Sequence, residues 1–140
     1  MASIQHIGIT CSDLTRSEKF YTEKFGMKKV REIEVGAETM KAIFGIDSPA
    51  KIVTMDAEHG QAVELFEFRK KEVLTPNAAT QIGLTHLQVI IADLEGSFNK
   101  FIAEGIPTIR VNRPQGGYIY FIKDPDGVLI ELKGPAAPQK

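Results

Sequence analysis

Residues 6–14, HIGITCSDL, return at residues 86–94 as HLQVIIADL, and the reading of this pair decides the fold. Each stretch opens on a histidine inside a short β-rich run. Each closes on an aspartate able to cap a helix by accepting from its orphan N–H groups. The spacing is uniform: His6 and His86, Asp13 and Asp93, Leu14 and Leu94, and Ser17 and Ser97 each lie 80 residues apart. The chain is therefore built from two halves in register.

Working outward, Leu14, Ser17, Phe20, Tyr21 and Phe25 recur at three- and four-residue steps, which makes one apolar helical stripe, and Gly26 supplies a left-handed stop. The segments MKKVREIEV (27–35), KIVTMDAE (51–58) and QAVELFEF (61–68) alternate in polarity and predict three strands. Between the first two, a short helix is expected around Thr39 to Phe44, closed by Gly45 and placed to cover a site. After the polar segment RKKEVLTPNAAT (69–80) the pattern starts again. A strand in GLTHLQVII is followed by a helix over roughly 94–104, ended by Gly105. Strands in IPTIRVN, GGYIYFIKD and GVLIELK then follow, the last two joined by Asp124-Pro125-Asp126-Gly127. Each half reads β-α-β-β-β, so the fold class is α+β. The expected organisation is one domain over 1–140, with module 1 at about 1–70 and module 2 at about 82–135.

Composition narrows the function. With 17 Lys and Arg against 18 Asp and Glu, the chain has no basic stripe for nucleic acid. No apolar run approaches a membrane span, and the N-terminus has no signal-like pattern, so a cytoplasmic location is expected. The single cysteine, Cys11, cannot form an internal disulfide, which suits a reducing compartment. It is read as a small residue at a strand-to-helix junction.

The chemistry lies in four residues. Glu64 (VELF) and Glu131 (LIEL) end the two halves inside apolar strands. Alternation puts Glu64 on the face of Phe66 and Phe68, and Glu131 on the face of Leu129 and Lys133. A carboxylate among apolar neighbours has to be paired, protonated or metal-bound. His6 and His86 occupy the third or fourth position of the strand opening each half, and imidazole is a common ligand of first-row divalent ions. Two neutral imidazoles and two carboxylates carry a charge that matches a divalent cation, and six-coordination leaves two positions for water or substrate oxygens. Because the set recurs at equivalent places, a shared metal site is expected. His59, in the hairpin AEHGQ, is read as a surface turn residue. Phe44, Met55, Phe66, Phe68, Tyr118 and Tyr120 are candidates to line a cavity. Arg110, Arg113 and Lys123 are candidates to meet an anionic group, although as solvated charges they need no such role.

Four segments carry a resemblance to a family: HIGITCSDLTRSEKFYTEKFGM, VELFEF, THLQVIIADLEGSFNKFIAEGI and, most specific, DPDGVLIEL. Together they resemble the vicinal oxygen chelate superfamily, which includes glyoxalase I, methylmalonyl-CoA epimerase, extradiol dioxygenases and bleomycin- or fosfomycin-resistance proteins. The resemblance implies two tandem βαβββ modules forming a curved, cup-shaped mixed sheet with helices outside. Ligands from the first and fourth strands of each module converge on one metal, here His6, Glu64, His86 and Glu131. The implied cofactor is one divalent ion: nickel, cobalt, zinc, manganese or iron.

The implied activity is that of a metal-dependent lyase or isomerase of the glyoxalase or epimerase type. Its substrate is a small molecule with vicinal oxygens that chelate the metal, and the reaction passes through an enediolate with Glu131 or Glu64 as base. Thr10 and Phe68 stand where glyoxalase I usually has an arginine and an asparagine for glutathione, which argues against ordinary glutathione recognition. Epimerases commonly carry glutamine where this chain has Glu64. Two alternatives remain open: metal-independent sequestration of an antibiotic-like molecule, and a non-haem iron extradiol dioxygenase. The resemblance also implies a homodimer.

Overall fold

A computed structural model describes residues 1–60, 62–75 and 82–137. Gln61, at the head of the third expected strand, and residues 76–80 of the polar connection lie outside the described residues. The chain divides into two compact units, Met1–Thr75 and Pro76–Lys140. Among the described residues no helix is long and apolar enough to cross a membrane.

The first unit runs β1 (His6–Thr10), α1 (Leu14–Phe25), β2 (Lys28–Val35), α2 (Ala37–Phe44), β3 (Ala50–Asp56) and β4 (Ala62–Phe68). Its four strands lie in the order β1-β4-β3-β2, with β1 parallel to β4 and the other pairs antiparallel. Helix α1 starts where the Asp13 carboxylate accepts from the Arg16 amide. It ends at Gly26, whose φ of 66° is open to a residue without a Cβ. The α1 stripe buries Leu14, Ser17, Phe20 and Tyr21, and the helix packs on β2, β3 and β4. Strand alternation brings Ile9, Val53, Met55, Val63 and Leu65 to this helix side of the sheet, and all five are buried.

The other face of the first sheet has a cover of its own. Met40 of α2 is buried with Ala50 and Phe68, and Val35, Ile46, Phe66 and Leu74 pack around them. The short helix expected at Thr39 to Phe44 is present and begins two residues earlier.

The second unit runs β5 (Leu87–Ile90), α3 (Leu94–Ala103), β6 (Thr108–Asn112), β7 (Tyr118–Lys123) and β8 (Leu129–Lys133). The order β5-β8-β7-β6, with β5 parallel to β8, repeats the first sheet. Asp93 caps α3 by accepting from the Gly96 amide. Phe98 and Phe101 of α3 are buried, as are Tyr120, Ile122, Ile130 and Leu132 of the sheet. The Phe98 and Tyr120 rings meet edge to face at 4.9 Å. Between β6 and β7 this unit has no helix, so among the described residues nothing corresponds to α2. Ile90, Ile109 and Val111 are left exposed.

The fold is the α+β arrangement of two βαβββ modules that the repeat predicted, with α2 added to the first. Three cavity candidates are corrected. Met55 faces α1 with Val63, its register partner. Tyr120 packs on α3, and its hydroxyl donates to the Glu95 carboxylate. Tyr118 lies against Tyr120 rather than on the glutamate face. Each sits on the helix side because side chains two apart in a strand share a face.

Candidate metal centre

The parallel register of β1 and β4 pairs Gly8 with Glu64, and that of β5 and β8 pairs Gln88 with Glu131. In each unit the histidine stands two residues before the glutamate's partner, on the same side of its chain, so imidazole and carboxylate meet across neighbouring strands. His6 Nε2 lies 3.5 Å from Glu64 Oε2. His86 Nε2 lies 3.2 Å from Glu131 Oε2. The strands start later than the sequence suggested: His6 is the first residue of β1, and His86 immediately precedes β5. Each imidazole therefore sits at an open strand end, 47% and 36% exposed, while the carboxylates behind are 22% and 17% exposed.

Hydroxyls orient both pairs. Thr54, the register partner of Glu64 on β3, donates from Oγ1 to Glu64 Oε1 at 3.4 Å. Thr85 Oγ1 lies 2.9 Å from His86 Nδ1. A hydroxyl both donates and accepts, so Thr85 satisfies either neutral tautomer of the ring. The Phe121 ring, opposite Glu131 in the β7–β8 register, abuts the His86 ring edge to face at 5.3 Å. The strand carrying Glu131 follows a turn in which buried Asp124 accepts from the amides of Asp126 and Val128, both at 2.9 Å.

These donors suit a borderline divalent ion. Two ligands with bonds of ~2.1 Å, at octahedral to tetrahedral angles, stand ~3.0–3.4 Å apart. The observed separations of 3.5 and 3.2 Å lie close to that range. Thr85 supplies the outer partner that ligating histidines usually have. Among the described residues no group of three or more His, Cys, Asp or Glu side chains is placed to hold a metal, so each unit shows one His–Glu pair.

Beside the His6–Glu64 pair lies a cavity of about 300 Å³. Phe44, Ile46, Phe66 and Phe68 supply its apolar lining; its polar lining comes from His6, Thr10 and Glu64. Phe66 and Phe68 are stacked at 6.5 Å, and Phe44 meets both edge to face at 5.7 and 6.4 Å. Three of the six cavity candidates are therefore on this wall.

The remaining candidates are placed elsewhere. His59 is an exposed turn residue with φ of 75°, as read from the sequence. Cys11 is buried, with its thiol donating to the Phe66 carbonyl at 3.5 Å. The Arg110 guanidinium lies over the Tyr118 ring at 4.7 Å, and Arg113 and Lys123 are exposed. Sequence reasoning did not single out Gly8, Thr54, Thr85 or Phe121. Thr85 was within reach as the residue before a ligand candidate, whereas Thr54 and Phe121 follow from strand register.

Comparison with known proteins bears on this geometry. The family described as the glyoxalase/bleomycin resistance protein/dioxygenase superfamily matches residues 3–132. A probable lactoylglutathione lyase of Vibrio parahaemolyticus is 32% identical over 134 residues, covering 92% of this chain and 88% of that protein. An uncharacterized Bacillus subtilis protein, YwkD, is 29% identical over 136 residues, covering 94% and 96%. Among solved structures, a glyoxalase family protein from Bacillus cereus superposes with a TM-score of 0.80 at 16% identity, covering 98% of this chain and 96% of that one.

Proposed function

Because the chain belongs to the glyoxalase/bleomycin resistance protein/dioxygenase superfamily, we propose that it is a metal-dependent lyase or isomerase that rearranges a small substrate with adjacent oxygens. The observation that carries this reading is the pair of equivalent His–Glu couples, at 3.5 and 3.2 Å, in the same strand register of the two sheets. His6, Glu64, His86 and Glu131 would together hold one divalent cation. Bound there, the ion would act as a Lewis acid toward the substrate's oxygens and acidify the neighbouring C–H.

The protein's own part is proton transfer. Glu131 or Glu64 accepts the proton from that carbon and returns it to the adjacent carbon or the opposite face, which completes an isomerisation with no net change in protons. Hydrogen bonds from surrounding hydroxyls hold the set in place: Thr54 steadies Glu64, and Thr85 steadies the His86 ring. The name of the Vibrio relative supports a lyase of the glyoxalase type. Thr10 and Phe68 line the cavity, and among the described residues no lysine or arginine lines it to meet a glutathione carboxylate. The reading takes the two units as modules of one domain, and the protein as a cytoplasmic homodimer.

Metal-independent sequestration of a small molecule is the competing reading, favoured by the apolar cavity. Elemental analysis of protein purified without chelator separates the two. About one equivalent of a divalent metal per chain is expected, lost in Glu131→Ala, with turnover of 2-oxo substrates abolished by chelator and restored by the ion. No metal after reloading with each candidate ion overturns the catalytic reading.

A further inference from the structure

We propose that Lys123 is a specificity-determining residue, which holds a carboxylate that the substrate carries on a short arm beside its two adjacent oxygens. The inference rests on the reading of His86 and Glu131 as part of a substrate site, and it adds a charge to that substrate.

Strand register puts the lysine there. Lys123 pairs with Leu129 across β7 and β8, and Phe121 pairs with Glu131. Side chains two apart in a strand share a face, so Lys123 lies on the face of Phe121, Leu129 and Glu131. On the other side of Leu129 stands His86, one residue before the Leu87–Ile130 pair. His86, Leu129 and Lys123 thus form one row across three strands. Glu131 is the diagonal neighbour of Lys123, at roughly 7–8 Å between backbones.

The ammonium is uncommitted. Among the described residues it has no ion-pair partner, whereas Lys29, Lys51 and Lys71 each meet a glutamate. Glu131 is engaged with His86 instead. Asp124, next in the chain, falls on the opposite face, where its buried carboxylate accepts from the Asp126 and Val128 amides. That turn, and the Lys123 amide donating to the Pro107 carbonyl at 3.0 Å, fix the backbone that carries the lysine.

The first sheet provides the contrast. Its matching row is His6, Ala62 and Asp56. An acid stands where the second sheet has Lys123, so the repeated architecture does not itself demand a cation beside a His–Glu pair. The other cations of the second sheet are elsewhere. Arg110 pairs with Tyr120 on the helix face and covers Tyr118, and Arg113 is in the turn at the far end of β7. Lys133 shares the Glu131 face but pairs with Ile90, at the end of β8 away from His86. A single ammonium matches a carboxylate, whereas a phosphate draws several donors or an arginine fork. Leu129, partly exposed between His86 and Lys123, gives the methylenes of the arm an apolar floor.

The test uses butyrohydroxamic acid and succinic monohydroxamic acid, which share two adjacent oxygens and chain length and differ in a terminal methyl or carboxylate. Full-length protein, metal-loaded and chelator-treated, is titrated with each by calorimetry. The carboxylate compound should bind about three- to tenfold tighter. Lys123→Met should bring that ratio to one or below, Lys123→Arg should keep it, and Lys133→Met should leave it unchanged, with circular dichroism unaltered throughout. In the wild type, NMR of the lysine ε-methylenes should show Lys123 moved by the carboxylate compound alone, which decides the matter should Lys123→Met fail to fold. A wild-type ratio of one or below, a ratio unmoved in folded Lys123→Met or lost in Lys133→Met, an unmoved Lys123 resonance, or binding of neither compound overturns the inference.

The two readings fail separately. A bound cation with a carboxylate-to-methyl ratio of one or below removes the role of Lys123 and leaves the catalytic reading standing. A carboxylate preference that Lys123→Met abolishes, in protein that never holds a cation, supports the anion site and removes the catalysis.

Discussion

Replacing Thr85 by valine deletes one hydroxyl at nearly constant shape, and its effect can be worked out from the site. The oxygen lies 2.9 Å from His86 Nδ1, while Nε2 of the same ring faces Glu131. With Nε2 committed to a cation, Nδ1 carries the hydrogen and donates it to Thr85. A net hydrogen bond of this kind contributes ~1 kcal/mol, about fivefold in affinity. Loss of an outer partner of a ligating histidine can reach ~100-fold. The His86 side chain is 36% exposed, so water replaces the hydroxyl in part. The expected loss is therefore near the lower end, about five- to tenfold.

Competition with a chromophoric chelator would measure that loss in Thr85→Val, and Thr85→Ser should restore wild-type affinity. Imidazole ¹⁵N shifts provide a second readout: in loaded protein the His86 Nδ1 resonance should move in Thr85→Val, because its N–H loses the hydroxyl acceptor. Wild-type affinity together with an unmoved Nδ1 resonance in the valine variant would refute the reasoning.

Two further predictions concern charge and packing. Lys29 and Lys51 both hydrogen-bond the Glu32 carboxylate, at 2.5 and 2.6 Å, and hold it at about 2, below its ordinary 4.5. A folded value below the unfolded one means the stabilisation is full above 4.5 and is lost as pH falls towards 2. Lys29→Met should move the Glu32 titration, followed by carboxyl NMR, back toward the ordinary value; an unmoved titration contradicts the assignment. Leu65→Ala empties a fully buried place in the α1-side core and should cost ~2–5 kcal/mol in chemical denaturation. Ile109→Ala on the open face of the second sheet should cost little, and equal losses would contradict the burial argument.

Much of the candidate site was legible because it is repeated. A histidine opening a strand or a glutamate in an apolar strand is ordinary alone. The recurrence of His6 and Asp13 at His86 and Asp93, with Glu64 and Glu131 closing the halves, pointed to all four residues. The caps were legible for a local reason, since Asp13 and Asp93 reach amides three residues on. The cavity wall was only half legible. Alternation sorts Met55 from Thr54 and Tyr120 from Phe121, but it does not say which set meets a helix. Met55 and Tyr120 went to the helices, leaving Thr54 and Phe121 beside the glutamates.

By itself, then, the sequence determined the α+β class, the two modules and their helix starts, and it nominated the four candidate site residues, because these rest on patterns local to each segment or copied between halves. Only the tertiary structure decided the pairing of Gly8 with Glu64 and of Gln88 with Glu131, which brings each imidazole to its carboxylate. It also decided that α2 covers an aromatic wall on the first sheet while, among the described residues, no helix covers the matching face of the second, where Ile90, Ile109 and Val111 are exposed. The physical reason is that strand register and helix docking depend on contacts between residues far apart in the chain, where a period of two leaves both faces of every strand open.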